Sequence, residues 1–357
     1  MTPLHRIAAW SFLLILPLSF WGHAMTPSDP LLKRGQPVNS ALKGGEAHSY
    51  RLKLNAGQYA LLAVEQRGID VVAAVSDPAG KPLGEFDSPT GLGGTELVRF
   101  VAETAGEYQV VIRSLKAEAY GGSYEVKVTA IRKTTAQDKR IVAAVKAQML
   151  GDELRAKDET RRQSLEQYAR ALELWRAARD RAGEAGTLRA IGFAHVRLSE
   201  DDQAYEHFDQ SLAVWREIGD RRSQAYIHLI FATIHTRRGD HQRALDERVR
   251  ALPLWRVVGD VIEETTTLTV IGLSHSRLNQ KEKAIEYYEQ ALALSRKSGN
   301  RALQADVLRR FGVLHEAFGE TQRAIEFYRQ SLELWRAMGR RSQEADVQDR
   351  IEKLRRN

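Results

Sequence analysis

The sequence predicts an α+β multidomain chain: an N-terminal antiparallel β-sandwich, then an all-α array of antiparallel helix pairs with a 40-residue period. Three observations carry this. Apolar and polar residues alternate between Gln36 and Arg132, the period of a half-buried strand. Trp175, Trp215, Trp255 and Trp335 stand 40, 40 and 80 residues apart, with Ser295 at the missing step. Between them Gly219, Gly239, Gly259, Gly299, Gly319 and Gly339 fall on a 20-residue grid that Ser199 and Asn279 complete.

The chain has 357 residues, of which 43% are hydrophobic and 28% charged, and it contains no cysteine. That length and balance suit two or three core-bearing units and exclude disordered or collagen-like classes. The absence of thiols excludes disulfide scaffolds, thiolate metal sites and cysteine nucleophiles. A formal charge of +7 gives a modest preference for anionic partners but falls well short of a nucleic-acid-binding tail, so no nucleic acid partner is expected.

At the start, His5 and Arg6 precede an apolar run over residues 7–21, followed by Gly22, His23 and Ala24. This pattern predicts a signal peptide over 1–24, cleaved to leave a mature chain from Met25, and hence a bacterial periplasmic or secreted protein. The run is broken by Pro17 and is short against the about 20 residues of a membrane span. A membrane partner is expected only if the segment is retained as an anchor.

Residues 25–45 read as an N-terminal extension and the start of the sandwich, and 46–132 as its body. Tyr50, Leu52 and Leu54, then Tyr108, Val110 and Ile112, then Tyr124, Val126 and Val128 each mark one buried strand face. Asn55-Ala56-Gly57, Asp77-Pro78-Ala79-Gly80, the glycines at 91, 93 and 94, and Gly121-Gly122 supply turns. About seven strands are expected. Tyr50-Arg51-Leu52, Ala56-Gly57-Gln58-Tyr59, Gly68-Ile69-Asp70-Val71, Asp77-Pro78-Ala79-Gly80 and Gly106-Glu107-Tyr108 together resemble the bacterial pre-peptidase C-terminal domain, which implies a jelly-roll-like sandwich of a secreted protein. Asp70, Asp77, Asp87 and Glu96 are read as turn-capping carboxylates in preference to calcium ligands, because they lack the dense spacing of a calcium loop.

A helical connector is expected over 133–158, where Ile141, Val145 and Met149 recur at helical spacing. The array follows over 159–340, about four and a half repeats, and a capping helix over 341–357 closes it. Each grid position ends a helix. Glycine takes the left-handed conformation there, and the Asp or Asn at 220, 240, 260 and 300 caps the next helix.

Within a unit, Gly272, His275, Ala284, Tyr288 and Ala291 follow at steps of 3, 9, 4 and 3. Gly312, His315, Ala324, Tyr328 and Ser331 repeat the frame, as do Gly192, His195, Ala204, Phe208 and Ser211. In the second unit Ala232 replaces the glycine and Arg248 the aromatic, while His235 and Ala244 keep their places. Small residues let two helices cross closely, and the aromatic fills the space beside them. This spacing resembles the tetratricopeptide repeat, lengthened to 40 residues from its usual 34.

Two columns are read as structural. His195, His235, His275 and His315 sit one per repeat, and helices of adjacent repeats pack about 8–10 Å apart, too far for a shared zinc ion. The four tryptophans read as core beside apolar positions such as Leu172. No metal site and no cofactor are expected.

A third column differs. Arg197, Arg237 and Arg277 recur two residues after the histidine, and Arg189 and Arg309 six before it. The resemblance implies that these offsets on the first helix of each pair face an inner groove. Leu229, Thr233, Thr236, Thr269 and Ser276 would share that wall, with Asp306 and Glu316 reversing its sign locally. Guanidinium groups grip carboxylates bidentately, so the expected ligand is a protein or peptide, preferentially acidic.

The sequence contains no phosphate-cradling glycine loop with lysine, no paired zinc-protease histidines and no serine elbow. The combined pattern resembles the front part of bacterial secreted proteins that continue into a caspase-like CHAT peptidase, without that peptidase. The resulting expectation is a non-enzymatic exported scaffold that binds its ligand in a concave groove. The alternative is a cell-surface or carbohydrate-binding protein whose sandwich recognises the ligand through Tyr59, Phe86 and Tyr120, with the helices as a stalk.

Overall fold

The computed structural model describes residues 26, 28–87, 93–116 and 121–356. The expected signal peptide over 1–24, Met25, Gly91 and Tyr120 lie outside the described residues. The chain divides into two compact units, residues 1–214 and 215–357.

The first unit begins with eight described strands: β1 (Val38–Leu42), β2 (Ala47–Leu54), β3 (Gln58–Arg67), β4 (Val71–Ser76), β5 (Pro82–Phe86), β6 (Gly93–Val101), β7 (Gly106–Ser114) and β8 (Gly122–Lys133). They form two antiparallel sheets, ordered β1-β8-β3-β6 and β2-β7-β4-β5. The registers put like with like: Leu62 lies opposite Val98 on one side and Val128 on the other. The alternating apolar residues close one core containing Leu52, Leu62, Val98, Tyr108, Val110 and Val126, as a two-sheet sandwich requires.

Helix α1 (Ala136–Ala156) follows at once, started by a capping box in which the Thr135 side chain accepts from the Asp138 backbone N–H and the Asp138 carboxylate accepts from that of Thr135. It does more than connect. Val145 and Met149 pack on the sandwich core, and Met149 sits so close over Gly84 that a Cβ there would lie 2.5 Å from its Cε. The other side of α1 packs Ala144 and Ala147 on Ala171 and Trp175 of α2 (Ser164–Ala178). A Cβ on Gly151 would lie 2.6 Å from the Tyr168 ring, the same glycine-on-aromatic crossing as in the later pairs. Helix α1 is thus the first helix of a pair with α2. Sequence spacing hid this, because Gly151 precedes Gly192 by 41 residues and a short 3-10 turn (Arg161–Gln163) lengthens the connection.

Helices α3 (Arg181–Arg197) and α4 (Asp201–Glu217) form the next pair, and the division between the units falls within α4. Arg99 of β6 donates to Asp180, the cap of α3, at 2.7 Å and lies over the Trp175 ring at 5.8 Å. Sandwich and first helices are therefore joined by both apolar and charged contacts.

The second unit holds α5 (Arg221–Arg237), α6 (His241–Val258), α7 (Val261–Arg277), α8 (Lys281–Lys297), α9 (Arg301–Ala317), α10 (Thr321–Ala337) and α11 (Arg341–Arg356). Asp220, Asp240, Asp260 and Asn300 each accept from a backbone N–H three residues on, contributing about 1 kcal/mol per cap. At the helix ends Gly259 takes φ 73°, and where the grid lacks glycine Asn279 takes φ 60°. Val347 and Ile351 of α11 cover Trp335 and Leu332 of α10, closing the array.

Candidate functional site

The histidine column fastens the turn inside each pair from α3–α4 to α9–α10. His195 Nδ1 lies 2.8 Å from Glu200 Oε2, His275 Nδ1 2.6 Å from Gln280 Oε1, and His315 Nδ1 2.5 Å from Glu320 Oε2. In all four pairs the backbone N–H five residues on donates to the histidine carbonyl at 2.9 Å, including Asp240 to His235. His195, His275 and His315 also stack on His207, Tyr287 and Phe327 at 5.2, 5.3 and 5.2 Å. Trp175, Trp215, Trp255 and Trp335 are buried, and no indole N–H finds a hydrogen-bond partner. Among the described residues no group of three or more His, Asp or Glu side chains is placed to hold a metal ion.

In the sandwich, Tyr59 and Phe86 are 3% and 7% exposed, so neither offers a ring for stacking on a sugar. Asp77 caps its turn, accepting from the backbone of Ala79 and Lys81. Burial pushes Asp70 up to about 6, and burial together with the Asp70 and Asp152 carboxylates pushes Asp87 up to about 7.

The arginine column divides by unit. In the first, Arg189 is buried, whereas Arg197 is exposed at the end of α3 near Arg155 and Arg161, and burial followed by those two charges holds it below the ordinary arginine value. In the second, Arg237 and Arg277 are exposed at the same register on α5 and α7. Arg309 is half-buried and bound through Nη2 to Asp306 at 2.6 Å. Thr233 and Thr236 are half-buried and donate to the carbonyls of Leu229 and Ala232 at 2.9 and 2.7 Å. Leu229 packs toward the Trp255 cluster, Thr269 is buried and donates to Thr265, and Ser276 is half-buried beside Arg277. Sequence spacing thus names ten lining residues, and the structure leaves Arg197, Arg237 and Arg277 as the exposed cations among them.

The residue that spacing undervalues is Arg248 on α6. Its counterparts are aromatic: a Cβ added to Gly192, Gly272 or Gly312 would lie 2.6, 2.6 or 2.5 Å from Phe208, Tyr288 or Tyr328. In the α5–α6 pair the ring is gone, and Ala232 fits because the slot holds an arginine stem. Arg248 is 8% exposed. Its Nη2 donates to Thr236 Oγ1 at 2.9 Å and its Nη1 to Ser274 Oγ at 3.2 Å, spanning α5 and α7. Burial and the neighbouring Arg277 push its pKa down to about 10. The same pair buries His228 against Glu247 at 2.6 Å, where sibling repeats carry leucine and an aromatic or histidine. The signal available in the sequence was the paired departure at 232 and 248.

The comparisons with known proteins agree with this architecture. Residues 183–256 and 223–297 match the model of the tetratricopeptide repeat family. A search of the curated proteins finds no match. Among solved structures, the apo form of RapI superposes with a TM-score of 0.53 at 13% identity, covering 62% of this chain and 60% of that one. BtubC from P. vanneervenii gives 0.41 at 18% identity, covering 58% of this chain and 93% of that one. A STAND signal transduction ATPase with a tetratricopeptide repeat sensor from Pyrococcus horikoshii gives 0.45 at 16%, covering 61% of this chain and only 37% of that one. At such identities the likeness concerns fold alone. The described residues of this chain thus form an antiparallel β-sandwich followed by a run of helices in a tetratricopeptide-like solenoid, with the family's model matching within residues 183–297.

Proposed function

We propose that this protein is an exported, non-enzymatic scaffold that docks a protein or peptide, preferentially acidic, on the first helices of its second unit. Tetratricopeptide solenoids serve as surfaces for protein association. The observation that carries the acidic preference is the repetition of exposed Arg237 and Arg277 at one register on α5 and α7, with the half-buried hydroxyls of Thr236 and Ser276 beside them. Guanidinium groups spaced along such a face bind carboxylates with directional, charge-assisted hydrogen bonds.

Affinity capture from the native bacterial envelope, with wild type and an Arg237→Glu/Arg277→Glu variant as baits, tests the reading. The wild type is expected to retain a partner that the charge-reversed protein releases. Equal retention by both folded baits would remove the docking face. For export, N-terminal sequencing of the chain recovered from the periplasm should begin at Met25.

A further inference from the structure

We propose that the stacked rings of His195 and His207 form an acid-sensitive latch, which holds the turn end of the α3–α4 pair closed at neutral pH and releases it in a mildly acidic medium. The latch is separate from the docking face proposed above, which lies on α5 and α7.

One repeated place on the second helix of each pair changes its chemistry here. In α7–α8 it holds Tyr287, stacked on His275 at 5.3 Å, and in α9–α10 Phe327, stacked on His315 at 5.2 Å. Glu247 stands at the same step in α5–α6. In α3–α4 the place is taken by His207, whose ring lies 5.2 Å from that of His195 with the two planes within 6°. A phenol or phenyl ring stays neutral in acid, so the sibling stacks carry no like charge. Two imidazoles do not share that safety: a proton on each sets two cations face to face, and each disfavours the other.

The surroundings serve one ring and not the other. His195 Nδ1 lies 2.8 Å from Glu200 Oε2, and Arg162 donates to the second oxygen of that carboxylate at 2.5 Å. The bonds from His195 and then Arg162 hold Glu200 below the ordinary carboxylate range. His207 Nδ1 is sheltered from water and, among the described residues, has no hydrogen-bond partner. The imidazolium is protonated on both nitrogens, so charging His207 would bury an unbonded N–H. Burial, and then the charge of His195, lower its pKa from the ordinary 6.5, while Glu206 beside it on α4 opposes them with less effect. The charged groups that bear on the latch are thus His195 and Glu206 toward His207, and Glu200, backed by Arg162, toward His195. A histidine whose folded pKa is depressed takes up its proton more readily in the unfolded chain. Its contribution is therefore present in full above pH 6.5 and lost as pH falls through the lower folded value. The contact of Gly192 with Phe208 does not titrate, so the pair opens first at its turn.

Hydrogen-exchange mass spectrometry of the full chain at about pH 7.5 and about pH 5, with exchange times scaled for the intrinsic effect of pH, tests the latch. The variant is His207→Phe, which installs the ring of the α9–α10 pair. On acidification, peptides from residues 190–210 of wild type should exchange about threefold faster or more, with peptides from residues 270–290 as internal reference, and His207→Phe should show no such gain. A wild type without acid-dependent exchange over 190–210 overturns the proposal, as does an equal gain in His207→Phe. If that variant does not fold, an NMR titration of the His207 ring in wild type decides. A pKa below 6.5, at the same midpoint as the loss of protection, supports the latch; a pKa at or above 6.5, or a separate midpoint, overturns it.

Discussion

Single side chains decide how close two helices can come. The Tyr288 ring leaves no room for a Cβ on Gly272, which would also press to 3.2 Å from the Ala284 carbonyl. Gly272→Ala should therefore destabilise the second unit by about 1–2 kcal/mol, since overpacking outweighs the better helix propensity of alanine, and urea unfolding will show it. Glu263 offers a titration test. Burial, and then the Asp260 carboxylate, push it up to about 7 from an ordinary 4.5, although Tyr226 donates to it. A carboxyl that holds its proton more tightly when folded stabilises the protein below pH 4.5, and that contribution is lost as pH rises through 7. Compared with Glu263→Gln, wild type should lose about 2–4 °C of Tm between pH 4.5 and 8; parallel Tm profiles would refute the assignment. The columns of glycine, histidine and tryptophan were legible as packing because their residue types suit few other roles at that spacing. Arg248 was not, because a lone arginine in an aromatic column gives no hint of whether it reaches water or stays inside.

At the scale of elements, the α3–α4, α7–α8 and α9–α10 pairs are each closed twice, by the glycine-on-aromatic crossing and by the histidine at the turn. The Gln280 amide serves His275 as Glu320 serves His315, so the bond does not depend on a charged acceptor. His315→Ala removes that bond and the stack on Phe327, and should cost about 1–2 kcal/mol in chemical denaturation. Helix boundaries were readable from the 20-residue grid and its Asp and Asn caps. The role of α1 was not, because its apolar residues serve two neighbours: Met149 turns to the sandwich while Ala144 and Ala147 turn to α2. A helix buried on two sides carries no single periodic face.

For the molecule as a whole, the natural cut is not where strand pattern gives way to helix pattern. The compact unit runs from the sandwich through α1 to α3 and into α4. A fragment of residues 26–135 loses Val145 and Met149 from its core and the Arg99–Asp180 pair from its flank. It should melt well below a fragment of residues 26–214, or fail to fold, and differential scanning calorimetry of the two will decide. Equal melting temperatures would mean that the sandwich stands without its helices. Fold class was legible here because two unlike periods divide the chain. The composition of the first unit was not, since contacts between elements leave no period of their own.

The four indoles of the array have a spectroscopic consequence. The six tryptophans of the chain are Trp10, Trp21, Trp175, Trp215, Trp255 and Trp335, so strands β1–β8 contain none. Each array indole is sheltered from water, and its ring nitrogen has no bonded partner, so its emission should lie at short wavelength in the native state and shift red on exposure. In a protein prepared from Met25 onward, which lacks Trp10 and Trp21, intrinsic tryptophan fluorescence becomes a private channel for the helices, against which tyrosine signals from the sheets can be timed separately.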